Sequence, residues 1–252
     1  MNSIYKVLPV IFLSFYLSSC SLFVDVKEPL HLLWNKTGKS TDNLIIFIPG
    51  LYDSHYKFKK EMFFKTARDE GVDADLVAVN INVVHLADEM VGERIKKDVL
   101  NYVKNDGYKN IWVVGVSIGG LSSLVYLKNH EENICGVVVL APYLGDDVLS
   151  EEMKQVGGLK NWVPDMGKLK DSIDVEVDTL WLWLAKRNNF SNIYLGYGKQ
   201  DDITIGSLTL ETLLDKKNVV AIDGEHDWET GRNIWEIQLK SRKETGLLAA
   251  CN

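Results

Sequence analysis

Residues 111–120 combine an apolar, strand-like run with a serine that stands between two glycines. The pattern is Gly115-x-Ser117-x-Gly119, and a segment of helical character follows it. Glycines on both sides of a serine allow a sharp turn from strand to helix, which lifts the hydroxyl clear of the sheet. The free amides and positive dipole at the start of the helix favour negative charge near that hydroxyl. The pattern predicts a nucleophilic serine, and the plainer alternative is a glycine-rich turn with an N-capping serine.

A serine hydroxyl attacks poorly unless a base accepts its proton and an acid orients that base. Two histidines follow Ser117 in the chain, His130 and His226. His130 lies in the charged tail of the helix after the serine, which indicates an exposed structural role. His226 lies in a loop that leaves the last predicted strand and enters the last predicted helix. We therefore predict that His226 is the base.

Three short motifs occur in a fixed order along the chain. They are Gly115-x-Ser117-x-Gly119, Gly198-x-x-Asp201-x-Ile203 and Gly224-x-His226-x-Trp228. Together they resemble the α/β-hydrolase superfamily, in particular its serine esterases and lipases, over almost the whole chain from Leu44 to about Lys243. The resemblance implies Asp201 as the acid that orients the histidine, with the adjacent Asp202 as the alternative, and it implies no cofactor.

The same resemblance implies two backbone donors for the oxyanion of a tetrahedral intermediate. One is the amide of Ile118, directly after the serine. The other is the amide of Leu51, because Pro49-Gly50-Leu51 resembles the family's His-Gly-x turn after the first core strand. The chain departs from that pattern in having Pro49 where the family commonly has histidine.

Short apolar runs alternate with longer segments of helical period, which is typical of β-α units around a parallel sheet. We predict the α/β-hydrolase fold, a mainly parallel, doubly wound sheet with a small helical lid insertion at about residues 143–190. The predicted strands are Leu44–Ile48, Leu76–Val79, Ile111–Val116, Gly136–Leu140, Ile193–Leu195 and Val219–Ile222. The predicted helices are Lys57–Glu70, Ala87–Asn105, Gly119–Lys128 and Gly231–Lys243.

The first nineteen residues have the pattern of an export signal. Lys6 precedes an apolar run from Val7 to Leu17 that is too short to span a bilayer. The run ends in Leu17-Ser18-Ser19-Cys20, which resembles the lipobox of bacterial lipoproteins and implies acylation of Cys20. Ser21 is not the aspartate associated with inner-membrane retention, so we expect an exported lipoprotein of the outer membrane whose hydrolase domain is residues 20–252. The alternative is an ordinary signal peptide or anchor helix with a chance cysteine.

The composition excludes several classes of partner. A formal net charge of −7 without a basic stripe argues against nucleic-acid binding. No group of cysteine, histidine and carboxylate residues has metal-site spacing, so we predict no metal. Cys135 begins a strand-like run and is interpreted as a buried thiol, while pairing between Cys135 and Cys251 is left open. His31, His55 and His85 are interpreted as ordinary loop or surface residues.

These residues predict hydrolysis of carboxylic esters or related acyl compounds through an acyl-enzyme. Trp162, Trp181 and Trp183 suggest an apolar lid and esters of short to medium acyl chain length, although ordinary core packing explains such a pattern equally well. Thioesters, amides and lactones stay open as substrates. Two alternatives are a catalytically inactive binding lipoprotein with this fold, and an acyltransferase that uses the same three residues. The oligomeric state is not predicted.

Overall fold

A computed structural model describes residues 29–81, 91–101, 107–165 and 172–251 of the chain. The predicted export signal, Cys20 and His85 lie outside these ranges. Among the residues described, no helix has both the length and the apolar composition needed to cross a membrane.

A seven-stranded sheet forms the centre of the molecule. Its strand order is β1-β3-β2-β4-β5-β6-β7, with β1 antiparallel to β3 and every other pair parallel. The strands are β1 (Leu32–Asn35), β2 (Asn43–Ile48), β3 (Asp75–Val79), β4 (Asn110–Val116), β5 (Gly136–Leu140), β6 (Ile193–Gly198) and β7 (Val219–Ile222). The predicted fold class and all six predicted strands are confirmed.

Helices cover both faces of the sheet, which explains why its strands are continuous apolar runs. Along β2, Leu44 and Ile46 pack on one face while Ile45 and Phe47 pack on the other, and all four are buried. The described helices are α1 (Lys57–Lys60), α2 (Phe63–Asp69), α3 (Val91–Ile95), α4 (Ile118–His130), α5 (Asp147–Gln155), α6 (Ser172–Lys186), α7 (Thr204–Glu211) and α8 (Trp228–Thr245). Shorter helical turns are the π-helical Lys96–Leu100, which continues α3, and the 3-10 turns Glu131–Asn133, Leu159–Asn161 and Lys216–Asn218.

The predicted single helix Lys57–Glu70 is wrong, because the chain breaks between α1 and α2. Met62 takes a left-handed conformation with φ of 68° at the break. A continuous helix would spread Phe58, Phe63 and Phe64 over more than half of its circumference. The break allows all three rings to be buried, with Phe58 and Phe64 within 5.0 and 5.4 Å of the Phe47 ring centre.

The insertion after β5 contains α5, one 3-10 turn and α6, so the predicted helices are present. Its tryptophans Trp162 and Trp181 are buried in the core, and the indole N–H of Trp181 donates to the Leu144 carbonyl at 2.9 Å. The core interpretation of these tryptophans therefore applies. The lid role stays a prediction, since residues 166–171 lie outside the described ranges.

A disulfide joins Cys135, just before β5, to Cys251 in the C-terminal tail, with a Cα–Cα distance of 4.6 Å. The interpretation of Cys135 as a buried free thiol is wrong. The tail is brought there by its own contacts, because the Trp112 indole donates to the Ala249 carbonyl at 3.0 Å and the Cys251 amide donates to the Asn110 side chain at 3.1 Å.

Candidate active site

The turn between β4 and α4 presents Ser117 in a strained backbone conformation. Its φ is 55° and its ψ is −119°, a backbone conformation that residues other than glycine rarely adopt. Both flanking positions must be glycine, because neighbouring backbone leaves no room for a side chain. A Cβ on Gly115 would lie 2.1 Å from the Gly119 carbonyl oxygen, and one on Gly119 would lie 2.3 Å from the Ile48 carbonyl oxygen. The predicted strand-turn-helix setting of the serine is confirmed.

The strand order places this turn at a natural crevice. From β2 the chain passes to β3 on one side of β2 and then to β4 on the other. The loops that leave the carboxyl ends of β2 and β4 therefore separate, which is where ligands bind in open parallel sheets. Gly50 and Ser117 lie in those two loops, and a Cβ on Gly50 would be 3.4 Å from the Cβ of Ser117.

His226 and Asp201 meet Ser117 at this edge. The Nε2 atom of His226 lies 3.1 Å from the Ser117 Oγ, and its Nδ1 atom lies 2.8 Å from Oδ2 of Asp201. Asp201 is buried, and its Oδ1 atom accepts a hydrogen bond at 2.8 Å from the amide of Ile203. Asp202 is exposed. The structure thus brings together the three predicted side chains and selects Asp201 over Asp202 as the partner of the histidine.

Asp201 also controls the charge of the imidazole. Its hydrogen bond is the main cause that raises the pKa of His226 above the ordinary value of 6.5, against the opposing effect of burial. The charges of Asp201, Asp202 and Asp227 add to the increase. The side chain of His226 is 37% exposed, so water can reach the ring.

The predicted oxyanion donors are available. Ile118 is the first residue of α4, where a helix leaves its amides without intrahelical partners. Within the described ranges, neither the Ile118 amide nor the Leu51 amide donates a hydrogen bond to the protein. Leu51 borders the same cavity as Ser117.

A cavity of about 580 Å³ opens at this edge. Its apolar wall includes Leu140, Ala141, Tyr143 and Ile203, while Glu225 and Asp227 lie near its histidine side. Of the insertion residues that the structure describes, Tyr143 alone lines it. The described residues contain no group of side chains arranged to hold a metal ion.

Of the other histidines, the three that the structure describes do not line this cavity. His130 ends α4 and packs on the Tyr126 ring at 4.9 Å. His31 is exposed, whereas His55 is buried and packs on Tyr56. Burial is the main cause that lowers the pKa of His55.

Sequence reasoning missed a polar group at the cavity. Oδ2 of Asp53 accepts a hydrogen bond from the Trp228 indole at 3.1 Å, and Lys57 lies beside both residues. The signals available were the position of Asp53 just after the Pro49-Gly50 turn and that of Trp228 within the histidine motif.

No protein-family model and no functionally curated protein matches this chain. Solved structures do match. Est1E from Butyrivibrio proteoclasticus has a TM-score of 0.60 at 17% identity, over 86% of this chain and 94% of its own. The fluorophosphonate-binding serine hydrolase FphF of Staphylococcus aureus has a TM-score of 0.57 at 13% identity, over 84% and 98%. The monoacylglycerol lipase of Paleococcus ferrophilus has a TM-score of 0.55 at 15% identity, over 84% and 99%. Each of these structures matches at a TM-score above 0.5 over more than four fifths of both chains, so the chain has the α/β-hydrolase fold.

Proposed function

We propose that the protein is a serine hydrolase that cleaves carboxylic esters through Ser117, His226 and Asp201. The observation that carries the proposal is the continuous contact from hydroxyl to imidazole to carboxylate, 3.1 Å and then 2.8 Å. A glycine-rich turn with a capping serine needs neither contact. The names of the similar structures, which include an esterase, a lipase and a fluorophosphonate-binding serine hydrolase, point to the same chemistry.

The geometry gives each residue one task in the reaction. His226 accepts the Ser117 proton at Nε2 as the oxygen attacks the ester carbonyl, and Asp201 fixes the tautomer by accepting from Nδ1. The amides of Leu51 and Ile118 stabilise the oxyanion. The protonated imidazole then donates to the leaving alcohol, and the acyl group stays on Ser117. Water then attacks the acyl group as it loses a proton to His226, and His226 returns that proton to the departing Ser117 oxygen, which releases the acid and restores the serine.

Labelling with a fluorophosphonate tests the nucleophile directly. We expect one covalent adduct per chain on the unaltered protein and none on Ser117→Ala. Ser122→Ala is the matched control, because Ser122 is a buried serine on α4, the helix that follows Ser117, and its hydroxyl donates to the Ile118 carbonyl at 3.0 Å. Equal labelling of Ser117→Ala and the unaltered protein would contradict the proposal.

The cavity supports esters with short to medium acyl chains. Its volume of about 580 Å³ lies in the range of small-molecule sites, and its wall on the β5 side is apolar. We expect kcat/KM for p-nitrophenyl esters to rise from acetate through the short chains and to fall for long ones. No turnover at any chain length would count against ester hydrolysis.

The partly exposed His226 lets water reach the acyl-enzyme, which supports hydrolysis as the proposed reaction, and transfer to another acceptor is the alternative. Product analysis with added alcohols, amines and thiols separates the two reactions. An inactive binding protein would not need the assembled contacts among the three side chains.

We also propose that Cys20 carries a lipid anchor and that the hydrolase domain is exported, with the outer membrane as its site. The disulfide between Cys135 and Cys251 supports an oxidising compartment. Labelled palmitate should enter the unaltered protein and fail to enter Cys20→Ser, which should also leave the membrane fraction. Incorporation into Cys20→Ser would rule out this site of acylation.

A further inference from the structure

The loop that holds the proposed Leu51 donor contains a strained turn. The Asp53 amide donates to the Gly50 carbonyl at 3.2 Å, which closes a four-residue turn. The third position of that turn is Tyr52, whose φ is 62°. A positive φ at this position is normally taken by glycine or asparagine, so tyrosine holds the turn at a cost in energy.

The Tyr52 side chain cannot supply what holds the turn in place. It is 90% exposed, so it makes little contact with the rest of the protein. A strained backbone persists only where its surroundings fix it. The contacts that fix this turn must therefore come from its other residues.

Asp53 supplies them. Its Oδ2 atom accepts a hydrogen bond at 3.1 Å from the indole of Trp228, and its Oδ1 atom lies 3.7 Å from Nζ of Lys57. Oδ2 would lie 3.5 Å from a Cβ on Gly50, so the carboxylate packs against Gly50, the residue that precedes Leu51.

Trp228 is itself firmly placed. Its ring packs edge-on against Phe58 at 5.3 Å and Phe63 at 5.5 Å. It also lies two residues after His226 at the start of α8. The bond from Asp53 to Trp228 thus joins the loop with the proposed oxyanion donor to the loop with the proposed base, across 175 residues of sequence.

From these contacts we propose that Asp53 is a positioning residue, which holds the strained Gly50–Asp53 turn against Trp228 so that the Leu51 amide faces the oxyanion. The inference rests on the proposed function. An oxyanion forms only during the reaction, so misplacing the donor lowers kcat and leaves KM nearly unchanged.

Hydrolysis of p-nitrophenyl acetate by four variants tests the role. We expect Asp53→Ala to lower kcat by roughly tenfold to a hundredfold, since a displaced donor loses part of its effect. Trp228→Phe keeps the aromatic packing but removes the donor, and should give a similar loss. Asp53→Asn keeps an acceptor oxygen and should retain most of the rate. The matched control is Asp73→Ala, which removes a surface aspartate paired with Lys39 far from the cavity and should leave kcat unchanged.

A rescue experiment separates positioning from simple damage to the fold. Glycine adopts a positive φ without strain. Tyr52→Gly combined with Asp53→Ala should therefore recover much of the lost kcat, while the thermal midpoints of all variants stay within a few degrees of the unaltered protein. A structural role alone would give a lower thermal midpoint and no recovery of kcat.

Two results would overturn the inference. One is full kcat in Asp53→Ala. The other is a loss of kcat in Asp53→Ala that is equally large in Asp53→Asn and in the double variant Tyr52→Gly with Asp53→Ala. Failure of the proposed function has a different signature, because hydrolysis would then persist in Ser117→Ala. If hydrolysis depends on Ser117 but not on Asp53, the positioning role alone is wrong.

Discussion

The protonation of His226 sets the pH range in which Ser117 can react. The imidazole must be neutral to accept the serine proton, and Asp201 raises its pKa above 6.5. As the pH falls through that raised pKa, the base becomes charged and the rate is lost. We expect kcat/KM to fall with unit slope on the acid side, with a midpoint above 6.5, measured as a pH-rate profile. A midpoint below 6.5 would contradict the assigned contact.

Replacing the two adjacent aspartates distinguishes their roles. Asp201→Asn removes the main cause of the raised pKa and the bond that fixes the tautomer, so the acid midpoint should fall and kcat should drop on the order of 10⁴-fold. Asp202→Asn removes only an exposed charge, so kcat should stay and the midpoint should fall slightly. The reverse pattern would make Asp202 the acid.

At the residue scale, short motifs at strand ends were sufficient to predict Ser117, His226 and an acid at Asp201 or Asp202. The bond between Asp53 and Trp228 was not predictable, since its partners are 175 residues apart and neither motif indicates the other. The choice between Asp201 and Asp202 also required the direction of the side chains.

At the scale of elements, α4 can pack closely against the end of β2 only because Gly119 has no side chain. A Cβ on Gly119 would lie 2.3 Å from the Ile48 carbonyl oxygen and 2.5 Å from that of Pro49, and neither backbone atom can move freely. We expect Gly119→Ala to lower the free energy of unfolding by about 1–3 kcal/mol and to abolish most activity. Urea unfolding and ester hydrolysis measure the two effects.

Gly231 in α8 provides the matched control for Gly119. The atom nearest to a Cβ added at Gly231 would be a Phe63 ring carbon at 3.6 Å, an ordinary van der Waals distance. Gly231→Ala should raise the free energy of unfolding by about 0.5–1 kcal/mol through helix propensity. Equal destabilisation by both substitutions would show that helix effects, not the contact with β2, decide the result.

Apolar runs flanked by turns were sufficient to predict six strands, whereas β1 has only four half-buried residues at the sheet edge and no clear pattern. The break at Met62 was hidden because a continuous helix and two short ones have similar local sequences. Burial of three phenylalanines decides between them, and that is a tertiary effect.

At the scale of the whole molecule, the disulfide fixes the C-terminal tail to the amino end of β5. It closes a loop with a sequence separation of 116 residues, which no local pattern could predict. We expect Cys251→Ser to lower the free energy of unfolding by about 2–4 kcal/mol and the thermal midpoint accordingly. Ester hydrolysis at 25 °C should be unchanged, because Ser117 lies at the opposite, carboxyl end of the strands.

Dithiothreitol provides the control for that prediction. It should lower the thermal midpoint of the unaltered protein towards that of Cys251→Ser and leave the variant unaffected. A reductant effect of equal size on both proteins would show that the lost stability has another source.

The antiparallel direction of β1 decides where the chain enters the fold. Leu32, the first residue of β1, pairs with Val79, the last residue of β3, so the entry point lies on the same rim as Ser117. From Cys20 to Pro29 the polypeptide reaches about 30 Å even when fully stretched. With the proposed acyl anchor at Cys20, so short a tether would keep the cavity mouth beside the bilayer, and the esters within its reach would be those at the membrane surface or in the thin water layer next to it.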